Sequence, residues 1–146
     1  MGNNFTISVV SDNAAFADEN IELAVAEIRR IEKLLTTFSE DSQTNLINEN
    51  AGIRPVKVAS EVFNLIERSI GISKITQGAF DISFGSIDKS LWNFDKNMTS
   101  LPSAAQAAKM VYLINYNNII LNNSEQTVFL KEKGMRIGFG GIGKGY

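Results

Sequence analysis

The sequence predicts an α+β fold, an antiparallel β-sheet with flanking helices. Three observations point to it: apolar residues at helical spacing before residue 76, strict alternation after Asn117, and turn dipeptides between the alternating runs. The 146 residues fit one compact domain with a real core, without internal repeats or low-complexity linkers.

Taken in order, Phe5 to Val10 alternates with β-branched residues and reads as a strand, and Asp12 and Asn13 supply turn and cap chemistry. From about Asn20 to Thr36, Ile21, Ala24, Val25, Ile28, Ile31 and Leu35 recur at helical spacing. Arg29, Arg30 and Lys33 fall near or on the outer, solvated face. Ser39 to Asn50 is too polar to read as core. Pro55 restrains the approach to a short strand at Val56 to Val58. Ser60 then suits the cap of a second helix with Val62, Phe63, Ile66 and Ile70 inward. That helix runs towards Thr76 and breaks at Gly78. Gly78 to Trp92 is irregular and aromatic. Pro102 and Ser103 open a third helix, with Gln106 completing a capping box. Ile119 to Leu121, Thr127 to Leu130 and Met135 to Ile137 read as antiparallel strands, joined by turns at Asn123-Ser124 and Lys133-Gly134.

Composition narrows the chemistry. Fourteen basic and sixteen acidic residues leave a formal charge of −2 with no basic run, which argues against a nucleic-acid partner. No apolar run is long enough to span a bilayer. The sequence contains neither cysteine nor histidine. Thiol nucleophiles, Ser-His-Asp triads and imidazole zinc sites are therefore excluded within it. Carboxylates, lysine, hydroxyls, backbone groups or a bound ion must do any chemistry.

The loudest local signal runs from Gly138 to Tyr146, with glycines at 138, 140, 141, 143 and 145 around Lys144. Such a loop after a strand lets backbone N–H groups approach phosphate closely. It also suits a tight turn between packed elements. Gly138, Gly140 and Gly143 have dinucleotide-loop spacing, but no βαβ unit or ribose-binding acid follows. Gly138 to Lys144 matches the start of a Walker A loop, yet Gly145 stands where a magnesium-binding Ser or Thr is required. What remains is a phosphate-friendly loop with a lysine. A helix would ordinarily follow such a loop, so we expect the domain to continue past Tyr146. Met1-Gly2 leads directly into the first predicted strand, which leaves room for a leader before it.

Several segments, in this order, resemble the ApbE family of FAD:protein FMN transferases. Met1-Gly2-Asn3-Asn4-Phe5-Thr6-Ile7 is similar to the family's opening strand. Leu34-Leu35-Thr36-Thr37-Phe38, with Asp41-Ser42 and Asn48, resembles its next segment. Thr76-Gln77-Gly78-Ala79-Phe80-Asp81 is similar to Thr-x-Gly-Ala-Phe-Asp, and Leu91-Trp92-Asn93-Phe94 to Leu-Trp-Gly-Phe. Gly140-Gly141-Ile142-Gly143-Lys144-Gly145-Tyr146 resembles Gly-Gly-Ile-Ala-Lys-Gly-Tyr.

The resemblance implies an ApbE-like, T-fold-related domain, of which residues 1–146 would be the amino-terminal part and therefore incomplete. It implies FAD as substrate, Mg2+ as cofactor, and an acceptor protein whose Thr or Ser hydroxyl receives FMN as AMP leaves. FAD contacts would fall on Met1, Phe38, Ala79, Phe80, Asp81 and Lys144, and the Gly141 carbonyl would ligate magnesium. Gly138 stands where the family usually has an FAD-contacting Asp, a carboxylate that glycine cannot replace. Taken singly, Asp81 also suits a turn cap, Phe38 and Trp92 suit core positions, and Ser42 and Asn48 suit loop and cap positions. The family's other magnesium ligands lie in its carboxy-terminal half, so this stretch alone is expected to be inactive. Alternatives are an FAD diphosphatase, a non-catalytic flavin-binding fragment, or a nucleotide module built on the glycine loop. Family members are often exported or membrane-anchored lipoproteins, which is the localisation the resemblance implies.

Overall fold

A computed structural model of the chain describes residues 6–87 and 101–146. Helix α1 spans Ala14–Leu35, and its start is set by the Asn13 side chain, which accepts from the Phe16 N–H at 3.1 Å. It therefore begins before Asn20. Its apolar stripe is buried only at the carboxy-terminal end, at Leu35, while Ile21, Ala24, Val25, Ile28 and Ile31 are half-buried.

The polar run after α1 departs from expectation. Ser42 caps a short helix α2, Gln43–Glu49, in which Thr44, Asn45, Ile47 and Asn48 are buried. Burial is tolerated because the polar side chains find partners. Ser42 Oγ donates to the Thr36 carbonyl at 2.6 Å, Thr44 Oγ1 to Leu34 at 3.2 Å, and Asn45 Nδ2 to Ser39 at 2.8 Å.

Strand β1 is Val56–Lys57, and helix α3 is Ser60–Ile75. Ser60 is already inside α3 and does not cap it. Ala59 takes that position without a side-chain bond, and the Ser60 hydroxyl accepts from Gln126 Nε2 at 2.9 Å. Helix α4 covers Ala104–Met110. Its capping box forms: Ser103 N–H donates to Gln106 Oε1 at 2.9 Å, and Gln106 N–H to Ser103 Oγ at 3.4 Å. Strands β2, Ile119–Asn122, and β3, Thr127–Leu130, complete an antiparallel sheet of order β1-β3-β2. Val128 pairs with Val56 on one side and Leu121 on the other.

Two predicted strands do not form. Residues 6–10 carry no strand, having no ladder partner among the described residues, and Val10 is fully exposed. Met135 to Ile137 is buried at both ends but is not a strand either, for a reason given below. The core gathers Val62, Phe63, Leu65 and Ile66 of α3 against Val56, Val128 and Leu130 of the sheet, with Met135, Ile137 and Phe139 beside them.

Outside this core, Arg30 on α1 reaches across to Glu61 on α3. Its guanidinium makes paired bonds to that carboxylate at 2.7 and 2.9 Å, while also binding Glu27. The Tyr146 hydroxyl donates to the same Glu61 carboxylate at 2.8 Å. The Arg30 bonds first, and then the Tyr146 hydroxyl, hold the Glu61 pKa down at about 2, below its ordinary 4.5. A depressed carboxylate contributes stability above its unfolded pKa and loses it as pH falls through the folded value. Wild type should therefore be more stable than Glu61→Gln near about pH 6, and the gap should close as pH falls from about 4.5 towards about 2. Thermal melting of both proteins across that range checks this.

Candidate functional site

The segment from Thr76 to Ser83 is shaped by hydrogen bonds that its own sequence supplies. At the end of α3, Gln77 and Gly78 are both left-handed, with φ of 53° and 85°. This turns the chain so that the Gly78 N–H reaches the Ser73 carbonyl at 2.8 Å. The Ala79 N–H bonds the Thr76 carbonyl at 3.0 Å, and the Phe80 N–H bonds Thr76 Oγ1 at 3.1 Å. Both donors are thus engaged internally, while among the described residues the Ala79 and Phe80 carbonyls accept no backbone hydrogen bond.

Asp81 is equally occupied. Its Oδ1 accepts from the Ser83 N–H at 2.8 Å and the Ser83 hydroxyl at 2.6 Å, and Oδ2 accepts from the Tyr116 N–H at 2.8 Å. It caps the 3₁₀ turn Ile82–Ser86 and ties that turn to a second one at Tyr116–Asn118. An ionised carboxylate offers about four acceptor positions. Three are taken, so the group is first a brace for this loop.

The glycine loop lies directly beside it. The Gly138 N–H donates to the Ile82 carbonyl at 2.9 Å. A Cβ at Gly141 would come within 3.3 Å of the Phe80 ring, so Phe80 lies over Gly141. Beyond Gly138 the loop closes on itself, with the Phe139 carbonyl accepting from Ile142 at 3.1 Å and Gly143 at 2.7 Å. Gly140, Gly141 and Lys144 are exposed. Among the described residues, the N–H groups of Gly140 and Gly141 have no hydrogen-bond partner.

The stretch leading into the loop shows why Met135 to Ile137 is not a strand: side chains take the place of a neighbouring strand. Asn48 Oδ1 accepts from the Ile137 N–H at 2.7 Å, and its Nδ2 donates to the Ile137 carbonyl at 3.1 Å. Ser86 Oγ serves Arg136 in the same way, accepting from its N–H at 2.8 Å and donating to its carbonyl at 3.0 Å. Gly85 permits this close approach, since a Cβ there would sit 2.9 Å from the Ile137 carbonyl carbon.

Phe38 stands on the neighbouring loop between α1 and α2 and is 87% exposed, outside the core. Thr37 approaches the same strip, its Cγ2 lying 4.0 Å from where a Gly138 Cβ would be. Ala79, Phe80, Asp81, Gly138, Gly141 and Lys144 therefore belong to two adjoining segments, with the Phe38 loop alongside. Met1 and the Leu91 to Phe94 motif lie outside the described residues. Asn48 builds the site from within a stretch that resembles the family, and Ser83, Gly85 and Ser86 build it without having been given a role from the sequence. Asn48 and Ser86 sit in polar or glycine-rich stretches, and only partners distant in sequence reveal their function.

The magnesium expectation rests on the family resemblance, with Gly141 as its one candidate among the described residues. The Gly141 carbonyl is a hard oxygen donor on an exposed residue. Among the described residues, no group of three or more acidic, His or Cys side chains could hold a metal ion. The described residues do not make a magnesium site by themselves.

Gly85→Ala should push the 136–138 strip away from the turn. Overpacking of this kind costs about 1–3 kcal/mol, and urea denaturation should show a lowered midpoint with an unchanged slope.

An FAD:protein FMN transferase of Klebsiella pneumoniae is 34% identical over 146 residues, which cover all of this chain and 45% of that protein. One from Escherichia coli K12 is 24% identical, covering all of this chain and 42% of its own length. The chain thus spans a little under half the length of these curated relatives. Among solved structures, the ApbE protein of Thermotoga maritima superposes with a TM-score of 0.75 at 28% identity, over 92% of this chain and 44% of that one. The flavin transferase ApbE of Vibrio cholerae, at 15% identity, gives a TM-score of 0.74 over 87% of this chain and 41% of that one, a likeness of fold alone. The model for the ApbE family matches residues 1–146, and the chain belongs to that family.

Proposed function

We propose that residues 1–146 are the amino-terminal part of one flavin-transferase domain. The complete protein would move FMN from FAD onto a threonine or serine hydroxyl of an acceptor protein. The observation that carries this reading is the meeting of Phe80 with Gly141, which joins the Ala79–Asp81 segment to the glycine loop in a member of the ApbE family.

In this reading the exposed Phe38 ring lies along the flavin, and the Ala79 and Phe80 carbonyls accept from FAD donors. The Gly140 and Gly141 N–H groups and Lys144 face the diphosphate. Asp81 keeps this cradle in shape. The acceptor hydroxyl oxygen bonds to the FMN-side phosphorus as its proton is lost. The bond from that phosphorus to the bridging oxygen breaks, and AMP leaves with that oxygen. Magnesium, when bound, would draw charge from the diphosphate and stabilise the departing phosphate, with the Gly141 carbonyl as its one ligand from the described residues.

A second reading, flavin binding without transfer by this stretch, is favoured by Gly138, which has no carboxylate, and by the incomplete metal ligand set. Water in place of the acceptor hydroxyl would instead make the complete protein an FAD diphosphatase. The family resemblance further leads us to expect export or lipid anchoring of the complete protein, which cell fractionation would test.

Titration of FAD with the protein, followed by flavin fluorescence, tests the binding site. Saturable quenching is expected. Lys144→Ala should weaken it about tenfold, the scale of one charge-assisted hydrogen bond. Loss of the stacking ring in Phe38→Ala should cost about 1–3 kcal/mol of binding. No saturable binding by wild type would remove the flavin assignment. Residues 1–146 assayed alone with FAD, magnesium and an acceptor peptide should show no FMN transfer, and metal-dependent turnover would refute the division of the site between two halves.

A further inference from the structure

We propose that Asn48 is a positioning residue for the glycine loop. By holding both backbone groups of Ile137, it sets where Gly138 to Lys144 stand, and with that the affinity for a dinucleotide's diphosphate. The diphosphate part rests on the flavin-transferase reading; the positioning part does not.

A backbone strip entering an anion-binding loop needs partners for its N–H and carbonyl groups, and a sheet would ordinarily supply them. Here Asn48 does so from α2, at 2.7 and 3.1 Å, with its side chain buried. Only a side-chain amide combines a donor and an acceptor in the spacing of a peptide group. An aspartate would keep the acceptor but turn a lone pair towards the Ile137 carbonyl. An alanine would strand two buried backbone groups.

Past Gly138, the glycine loop holds mostly local bonds, from Ile142 and Gly143 to Phe139 and from Gly145 to Ile142. Its backbone is therefore tied to the rest of the fold chiefly through the 136–138 strip, beside the packing of Phe139 and Ile142 on the core. Helix α2 also fixes the Phe38 loop, because Ser42 Oγ bonds the Thr36 carbonyl and Asn45 Nδ2 bonds the Ser39 carbonyl. One short helix thus braces both the aromatic ring and the glycine loop. Asn48 is the member of that brace that holds the backbone leading into the loop, while Asn45 Oδ1 accepts from the Arg136 side chain at 3.4 Å.

The test compares wild type, Asn48→Ala, Asn48→Asp and a core truncation, Ile66→Ala, in the complete protein. Ile66 is fully buried in α3, in the same core as Ile137, and its truncation destabilises while leaving the hydrogen bonds to the strip's backbone in place. Hydrogen exchange without ligand is the first readout. Both Asn48 variants should exchange faster than Ile66→Ala across residues 136–143, and unchanged exchange there overturns the positioning role whether or not FAD binds. The second readout is the dissociation constant for FAD and for riboflavin, which lacks phosphates. The Asn48 variants should bind FAD about tenfold or more weakly, as expected for a misplaced binding loop, with riboflavin little changed. Equal losses for both ligands, or none, overturn the proposal. If wild type exchanges as expected but does not bind FAD, the transferase reading fails and the positioning of the loop stands. Should Asn48→Ala fail to fold, Asn48→Asp, which keeps the side-chain volume and one bond, gives the same comparison.

Discussion

The exchange of hydrogen bonds between the Asn48 amide and the Ile137 backbone spans 89 residues and joins the first half of the described chain to its last loop. Both partners are buried, so the interaction is made in a low-dielectric interior where leaving either group unpaired is costly. Everything nearby is arranged to permit it. Ser42 caps α2 and anchors it to Thr36, Asn45 holds the intervening loop, and Gly85 lets the 3₁₀ turn come close on the other side. Ser86 then satisfies the next residue along, Arg136. The strip before the glycine loop is thereby held from two sides by side chains.

The Thr76–Asp81 motif acts by comparable means. Thr76 draws in the Phe80 N–H, the left-handed pair Gln77 and Gly78 reverses the chain, and Asp81 locks the result to Ser83 and Tyr116. Thr76 and Asp81 are both engaged with backbone, and the product of that work is the placement of Phe80 over Gly141. In this fold the motif largely braces its own turn and sets a ring beside the glycine loop. The sequence has no histidine, and the polar groups gathered in these segments are backbone dipoles, a carboxylate and a lysine.

Much of the local structure was legible because it rests on short-range physics. The Ser103–Gln106 box, the alternation in Ile119 to Leu121 and Thr127 to Leu130, the burial of Val62, Phe63 and Ile66, and the break at Gly78 all follow from neighbours within a few residues. Where the reading failed, a distant partner decided. Ser39 to Asn50 is polar by composition, yet Ser42, Thr44 and Asn45 are buried because carbonyls of the preceding turn, at Thr36, Leu34 and Ser39, receive them, and Asn48 because Ile137 does. Met135 to Ile137 alternates like a strand, yet its partners are Asn48 and Ser86. The residues near the first predicted strand have the right pattern and no ladder partner among the described residues.

By itself, then, the sequence determined the α+β class, the chemistry that histidine and cysteine would have allowed and that is absent, and the segments resembling the ApbE family. Tertiary structure alone decided that Asp81 is a brace, that Phe38 stands outside the core, and that Phe80 meets Gly141. It also decided that a polar helix belongs inside. The reason is physical: propensity and periodicity act over one or two turns of chain, whereas the burial of a polar group depends on whether a partner arrives from elsewhere to satisfy it.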